Sequence, residues 1–445
     1  MSSSVNGSDL FELARDRDEL AIADKKPLFS RNEAVSEALR CLYCVDAPCI
    51  KACPTEIDIP TFIRRIGTGD VSGSALTIFA QNTLGASCAR ICPVEVLCEG
   101  SCVYTGWHRD PIKIGRLQRF ATETAALPAS ALPRTGAKRA KHVALIGAGA
   151  ASLACAAELV LHGHKATIFE KKKFGGGLNT SSIAPYKLHA DDALAEVAWI
   201  AEMGVELHFG VAFGKELRGE ELLSEYDAVF IGVGLGEDSR LGIPGEDGKG
   251  VVGAVEWIEQ MKLASSPKRA LGAVVVIGGG NTAIDAAREC AQLGGDVTLV
   301  YRRGLEAMSA YAHEVEAARK DGVTIAVDQT PRRFVHDASG NLSGVAFAQT
   351  GAPSETIFPA QLAIVAIGQS KVRGIAEQFP GVEVNARGSI VADPKTGVTG
   401  NDRVFAGGDS VNGGKEVVNA VAAGRDAARA LIARWAGATQ LALAI

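Results

Sequence analysis

"HVALIGAGAASLACAAELVLHGHKATIFEKK" (residues 142–172) begins with an apolar run, turns at Gly147 and Gly149, continues through small and apolar residues, and ends a second apolar run on Glu170. Strand, glycine turn, helix and strand, with an acid about twenty residues past the turn, is the sequence form of a Rossmann-like nucleotide-binding unit. The glycines let the backbone approach a pyrophosphate, the helix N-terminus presents its positive dipole, and the acid accepts hydrogen bonds from ribose hydroxyls. Ser152 stands at the third glycine position, so helix and strand are expected to sit slightly farther apart.

A second copy follows at "AVVVIGGGNTAIDAARECAQLGGDVTLVYRR" (residues 273–303), with Gly278, Gly280 and Ala283 at the fingerprint positions. No acid ends its second strand. Tyr301 is followed instead by Arg302 and Arg303, and guanidinium groups at that place suit a ribose carrying a 2′-phosphate, which points to NADP(H). Near the C-terminus "RVFAGGDSVNGGKEVVNAVAAGRDAARAL" (403–431) reads as a strand, a turn at Gly407 and Gly408, Asp409, and an alanine-rich helix. Asp409 suits either a helix cap or a contact to a bound cofactor's sugar chain. "AVFIGVGL" (228–235) and "LAIVAIGQS" (362–370) read as paired strands passing between domains. The first nucleotide fold is therefore expected to be discontinuous.

Ahead of both units the ten cysteines are distributed unevenly, because eight lie between positions 41 and 102. One set runs Cys41-x2-Cys44-x4-Cys49-x3-Cys53-Pro54, the other Cys88-x3-Cys92-Pro93-x4-Cys98-x3-Cys102. Disulfide frameworks belong to short secreted chains. Zinc knuckles would use evenly paired spacings, whereas the uneven gaps and the two Cys-Pro pairs favour iron-sulfur chemistry. In such runs three cysteines serve one cluster and the Cys before Pro serves another. Cys41, Cys44 and Cys49 then share a cluster with a late cysteine, Cys102 being the candidate, while Cys53 joins Cys92 and Cys98. The second set lacks a fourth ligand. Cys88 could supply it by arithmetic, since a helix would put it on one face with Cys92.

The composition narrows the rest. At 445 residues with 47% hydrophobic content the chain divides into several buried cores. A formal net charge of −5 and the absence of a basic block argue against nucleic acid. The N-terminus has no apolar signal-peptide core and no run of eighteen uncharged apolar residues occurs, so a cytoplasmic protein without a membrane span is expected. The fold class expected is α/β: an all-helical iron-sulfur domain (1–135) ending in a linker near 126–142, an FAD-type domain in two parts (136–255 and 376–445), and an NAD(P)-type domain (256–375).

With these residues in view the chain resembles the NAD(P)-binding, flavin-containing subunit of bacterial dihydropyrimidine dehydrogenase, with the glutamate synthase small subunit a close relative. The resemblance rests on "APCIKACPTEIDIPTFI" (47–63), "GASCARICPVEVLCEGSC" (85–102), "PIKIGRLQRFATE" (111–123), both glycine fingerprints, "LGIPGE" (241–246) and "VFAGGD" (404–409). "ICPVEVLC" favours the pyrimidine branch, because glutamate synthase typically has a segment more like C-P-A-P-C.

That resemblance implies Gln118, in "GRLQRF", as a fourth ligand, giving one [4Fe-4S] site at Cys41, Cys44, Cys49 and Cys102 and another at Cys53, Cys92, Cys98 and Gln118. Cys88 then becomes a buried neighbour. It implies FAD at Gly147, Gly149, Ser152, Glu170, the turn Gly175 to Leu178 with Gly177 and Leu178 foremost, Gly408, Asp409 and Val417. It implies NADP(H), or NAD(H) as in some members, at Gly278, Gly280, Asn281, Thr282, Arg302 and Arg303. "NTSSIAPYKL" (179–188) departs from the family's usual "RYGIPEFRL" after the flavin turn.

The activity implied is hydride transfer from the nicotinamide to the flavin, then one-electron steps through two clusters. No side-chain acid or base is required, because the cofactors supply the reactivity. The pyrimidine-reducing half is expected in a separate FMN-containing subunit, making a hetero-oligomer that converts uracil or thymine to the 5,6-dihydro form. The alternative outlet is glutamate synthase or ferredoxin, and a redox sensor or assembly subunit is the non-catalytic reading.

Overall fold

The computed structural model describes residues 11, 13–265, 271–349 and 354–442. Helices dominate up to residue 124, and their starts are written locally. Ser30 and Glu33 close a capping box on the helix Arg31–Ala38. Asp58 caps Ile59–Gly67 through Thr61 N–H, and Asp70 caps Val71–Phe79 through Gly73 N–H. Each side chain satisfies a donor that the first helical turn leaves unpaired. Ile59, Phe62, Ile63 and Ile66 recur at helical spacing and are fully or almost fully buried, facing Leu117, Phe120 and Ala121 of the helix Ile114–Thr124. Cys41, Cys49, Cys53, Cys98 and Cys102 border this apolar core.

Downstream, the strands are β1 to β4 (His142–Ile146, Lys165–Glu170, Glu206–Phe209, Ala228–Ile231), β5 to β8 (Val251–Gly253, Ala273–Ile277, Asp296–Val300, Thr324–Ala326), β9 to β11 (Gln329–His336, Leu342–Gln349, Glu355–Pro359), and β12 and β13 (Leu362–Val365, Val404–Ala406). Two parallel five-stranded sheets run in the orders β13-β4-β1-β2-β3 and β5-β12-β6-β7-β8. The chain thus builds four strands of the first sheet, makes the second, and returns with β13. β1 is flanked by β2 and β4, and β6 by β7 and β12, which places a topological switch point at the carboxyl end of each glycine-bearing strand. An antiparallel sheet, β11-β10-β9, is inserted before β12; the sequence reading did not anticipate it.

Three expectations need correction. β5 pairs with β12 in the second sheet, so the crossing between folds precedes Val251 and does not follow residue 255. β4 and β12 lie in different sheets; the segments leaving them pair, through Gly236 N–H to Ser370 O (2.9 Å), Ser370 N–H to Glu237 O (2.8 Å) and Ser239 N–H to Gly368 O (2.8 Å). The two crossovers therefore form one antiparallel ribbon. The stretch read as a linker is packed: Ala129 and Leu132 are buried in the first fold's core, and Trp199 Nε1 donates to Leu127 O at 2.8 Å. That apolar burial anchors the helical domain to the nucleotide fold.

The helix Ala150–Leu161 is crossed by the long helix Val417–Ala442. A Cβ at Gly424 would lie 1.9 Å from Ala151 O, so only glycine permits this approach.

Candidate functional site

A cleft of about 1350 Å³ opens at the carboxyl ends of β1 and β4, bordered on its far side by β5, β12 and the helix Ala254–Leu263. Gly147 has φ +88°, and a Cβ there would meet Gly232 O at 2.9 Å. Gly149 begins the helix Ala150–Leu161, whose N-terminal N–H groups face the cleft with no side-chain cap. A Cβ on Gly177, at φ +57°, would come within 2.9 Å of Gly149 Cα. Two glycine backbones thus make a cradle that any side chain would fill. Glu170 is held at its rim, accepting from Ala148 N–H and Lys172 N–H, each at 2.8 Å. These features fit a dinucleotide pyrophosphate and ribose.

Gly147, Gly149, Glu170, Gly177, Leu178, Gly408, Asp409 and Val417 all line this cleft. Asp409 is the first residue of the short helix Asp409–Asn412 and accepts from Lys415 N–H at 3.1 Å, and burial raises its carboxyl above the usual range. Ser152 does not face the cleft. It is fully buried, and its Oγ has no hydrogen-bond partner and lies where a Cβ on Gly232 would come within 2.2 Å of it. The missing third glycine is therefore answered by a glycine just past the end of β4.

At the second fingerprint Gly278 has φ +156°, and a Cβ there would lie 2.2 Å from Ala366 O and 3.0 Å from Ala283 Cβ. Gly280 precedes the helix Asn281–Gln292. Asn281 Oδ1 accepts from Tyr311 N–H at 3.0 Å, and Thr282 is exposed. Arg302 and Arg303 follow β7 on the surface; Arg303 Nε donates to Tyr301 OH at 2.9 Å. None of these six expected residues lines the large cleft; they assemble around the turn that leaves β6.

The cysteines divide as two sets. Cys41, Cys44, Cys49 and Cys102 line one small apolar pocket together with Ile59, Ile63 and Ile114. Burial, with Cys41 and Cys102 alongside, pushes the Cys49 thiol up to about 12. In the second set Cys92 is raised by its hydrogen bond with Cys88 and by burial, and Cys98 by burial with Glu99, Cys92 and Cys53 beside it. Buried, crowded thiols are neutral unless a cation replaces their protons. Gln118 is buried and donates through Nε2 to Gly85 O at 2.8 Å, which leaves its Oε1 as the atom whose lone pairs could ligate a metal. Cys88, on the helix Gly85–Ile91, is 2% exposed. Among the described residues no three His, Cys, Asp or Glu side chains are gathered as ligands of one metal ion. A cubane cluster asks for a wider arrangement, because each protein ligand meets a different iron.

The second set abuts the first nucleotide fold. Cys53, Cys88 and Cys92 pack in the same apolar cluster as Ala151 and Leu153, and Arg425 of the long helix donates to Thr55 O at 2.6 Å and Gln81 O at 3.0 Å. Glu196 accepts from Ala86 N–H at 3.0 Å and from Ser87 N–H at 3.3 Å, at the start of the helix carrying Cys88.

Residues 19–128 match the family described as dihydropyrimidine dehydrogenase domain II, 4Fe-4S cluster, and residues 141–424 match the pyridine nucleotide-disulphide oxidoreductases. The NAD-dependent dihydropyrimidine dehydrogenase subunit PreT of Escherichia coli K12 is 36% identical over 407 residues, covering 91% of this chain and 95% of that one. This chain belongs to the PreT-like family of bacterial dihydropyrimidine dehydrogenase subunits. The relationship extends to the glutamate synthase [NADPH] small chain of the same organism, 33% identical over 437 residues, covering 90% of this chain and 91% of that one. Mycobacterium tuberculosis FprA in complex with NADPH shares the fold, with a TM-score of 0.54 at 19% identity over 68% of this chain and 86% of that one.

The PreT-like chain is an NAD(P)H-dependent flavin oxidoreductase that binds FAD and NAD(P)H and serves as an electron-transfer subunit. No helix among its described residues is long and apolar enough to cross a membrane. Some residues of its cleft escaped the sequence reading. Gly232, Gly234 and Gly236 line it, and their alternation in "GVGLG" was the available signal. Asp238 also lines it and caps the helix Ala254–Leu263 through Val255 and Glu256 N–H, both at 3.1 Å. That contact joins segments seventeen residues apart and has no local signature.

Proposed function

We propose that this PreT-like chain is the electron-input subunit of a cytoplasmic dihydropyrimidine dehydrogenase. It takes a hydride from NADPH at the cleft between its two nucleotide folds and delivers single electrons through two [4Fe-4S] sites to an FMN-containing partner subunit, which reduces uracil or thymine to the 5,6-dihydro form. The observation that carries this reading is the placement of the cysteines: Cys53 and Cys92 of one set pack in the apolar cluster of the flavin fold, whereas Cys41, Cys44, Cys49 and Cys102 line a pocket made only of helical-domain residues. A flavin converts a two-electron donor into a source of single electrons, and two successive cysteine-lined sites suit carriers leading away from it.

Residues Cys53, Cys92, Cys98 and Gln118 would hold the inner cluster, and Cys41, Cys44, Cys49 and Cys102 the outer. The protein's own work is to keep these sites apolar and to orient Gln118 through Gly85 O. Glu170 and the Gly147–Gly149 turn would bind the FAD ribose and pyrophosphate. Gly278, Gly280, Asn281 and Thr282 would bind the nicotinamide dinucleotide, and Arg302 and Arg303 favour the 2′-phosphate of NADP(H).

The test is NADPH oxidation by the complex isolated without oxygen from its host, with uracil added and dihydrouracil quantified. Uracil-dependent oxidation with product supports the assignment. The 33% identity to a glutamate synthase small chain favours the second reading, delivery to glutamate synthase; 2-oxoglutarate- and glutamine-dependent oxidation without a response to uracil would establish that instead.

A further inference from the structure

Two residues tie the nucleotide turn of the second fold to the flavin side of the first. Tyr311 OH donates to Glu416 Oε1 at 2.7 Å. At one end, Tyr311 N–H donates to Asn281 Oδ1 at 3.0 Å and Ala310 N–H donates to Gly279 O at 3.0 Å, so the residue is fastened to the turn and helix of the second glycine fingerprint. At the other, Glu416 lines the cleft, and its carbonyl accepts from Asn419 N–H (2.9 Å) to start the helix Val417–Ala442. The adjacent Lys415 N–H is bonded to Asp409. One phenol and one carboxylate therefore join the second nucleotide turn to Glu416, which lines the cleft beside Asp409 and Lys415.

We propose that Tyr311 and Glu416 are a positioning pair that sets the nicotinamide-binding fold at the distance and angle hydride transfer to the flavin requires. The inference rests on the hydride-transfer reading above. The pair does not hold the folds together by itself. Lys262 Nζ, on the second fold's helix, donates to Asn179 O (3.0 Å), Ile183 O (2.9 Å) and Leu188 O (2.8 Å) of the first, and Lys172 pairs with Glu259 across the cleft. Removing one phenol hydroxyl consequently leaves the assembly in place and frees only its fine adjustment, to which transfer rates respond steeply.

The experiment is anaerobic stopped-flow reduction of the flavin by NADPH in the full FAD-loaded chain, with Tyr311→Phe, Glu416→Ala and Glu416→Gln. The expected result is a limiting rate of flavin reduction about tenfold lower in Tyr311→Phe and Glu416→Ala, with the concentration of NADPH at half-saturation moved by less than about twofold. The long-wavelength charge-transfer absorbance between nicotinamide and flavin is weakened in the same two variants, while FAD content stays that of the unaltered protein. Glu416→Gln, whose amide oxygen still accepts from the phenol, recovers most of the rate. A Tyr311→Phe protein reduced at the unaltered rate with full charge-transfer absorbance overturns the proposal, as does a Glu416→Gln protein as slow as Glu416→Ala. An unaltered protein whose flavin neither NADPH nor NADH reduces overturns the hydride reading and the pair with it, whereas normal reduction with indifferent variants removes the pair alone.

Discussion

Ser152 and Gly232 occupy each other's missing volume: a Cβ placed on Gly232 would stand 2.2 Å from Ser152 Oγ and 2.9 Å from Phe230 Cε1. Gly232→Ala is therefore expected to push the helix Ala150–Leu161 off β4, lowering stability by about 1–3 kcal/mol and weakening FAD retention. Adding Ser152→Gly should restore part of the loss, since it removes the nearer clash. Thermal unfolding and flavin content of the two single variants and the double variant check this. Strictly additive effects would show that the two sites do not share the space.

Exchanging both guanidinium groups after β7 tests the nucleotide preference. Arg302→Ala with Arg303→Ala should raise the half-saturating NADPH concentration by about 10- to 100-fold, the worth of charge-assisted bonds to a phosphate, and barely affect NADH. Steady-state oxidation of both nucleotides measures it; equal losses would remove the 2′-phosphate assignment.

Legibility followed sequence distance. The strand-turn-helix-strand units around Gly147 and Gly278 were readable because glycine placement, helix start and strand ends lie within thirty or so residues. The return of β13 to the first sheet was expected from "AVFIGVGL" and "LAIVAIGQS", read as strands passing between domains. Partnerships across the chain were not: Glu196 with Ser87, Tyr311 with Glu416, and Gly232 with Ser152 each depend on tertiary packing that no local period encodes. The inserted sheet β9–β11 was missed for a different reason. "QTPRRFVH" (329–336) contains a proline and two adjacent arginines, which mask the alternation of a half-buried strand.

Gln118→Cys is expected to keep the iron content and to lower the reduction potential of one cluster, because a thiolate adds negative charge where an amide had none. Redox titration followed by electron paramagnetic resonance reads this directly. Unchanged potentials would exclude Gln118 as a ligand.

Glu196 gives the contact between the helical domain and the flavin fold a pH dependence. Burial pushes its carboxyl up from 4.5 to about 7, against the opposing bonds from Ser87 and Ala86. The folded state thus favours the protonated form, so this contribution to stability is complete below about pH 4.5 and is lost as the pH rises through about 7. Charging the buried group costs up to roughly 3 kcal/mol. Glu196→Gln cannot charge, so the difference in melting temperature between variant and unaltered protein should move in the variant's favour from pH 5.5 to 8.5. A difference independent of pH would contradict the assignment.

The outer cysteine set lies away from both nucleotide folds, which allows the electron route to be cut without disturbing hydride transfer. The decisive measurement uses the complete complex carrying Cys41→Ser, prepared without oxygen, and follows flavin bleaching by NADPH together with dihydrouracil formed from uracil. The FAD is expected to bleach at close to the unaltered rate, about half of this chain's iron to be lost, and dihydrouracil formation to disappear. Dihydrouracil produced at the unaltered rate by a complex that has lost that iron would contradict it.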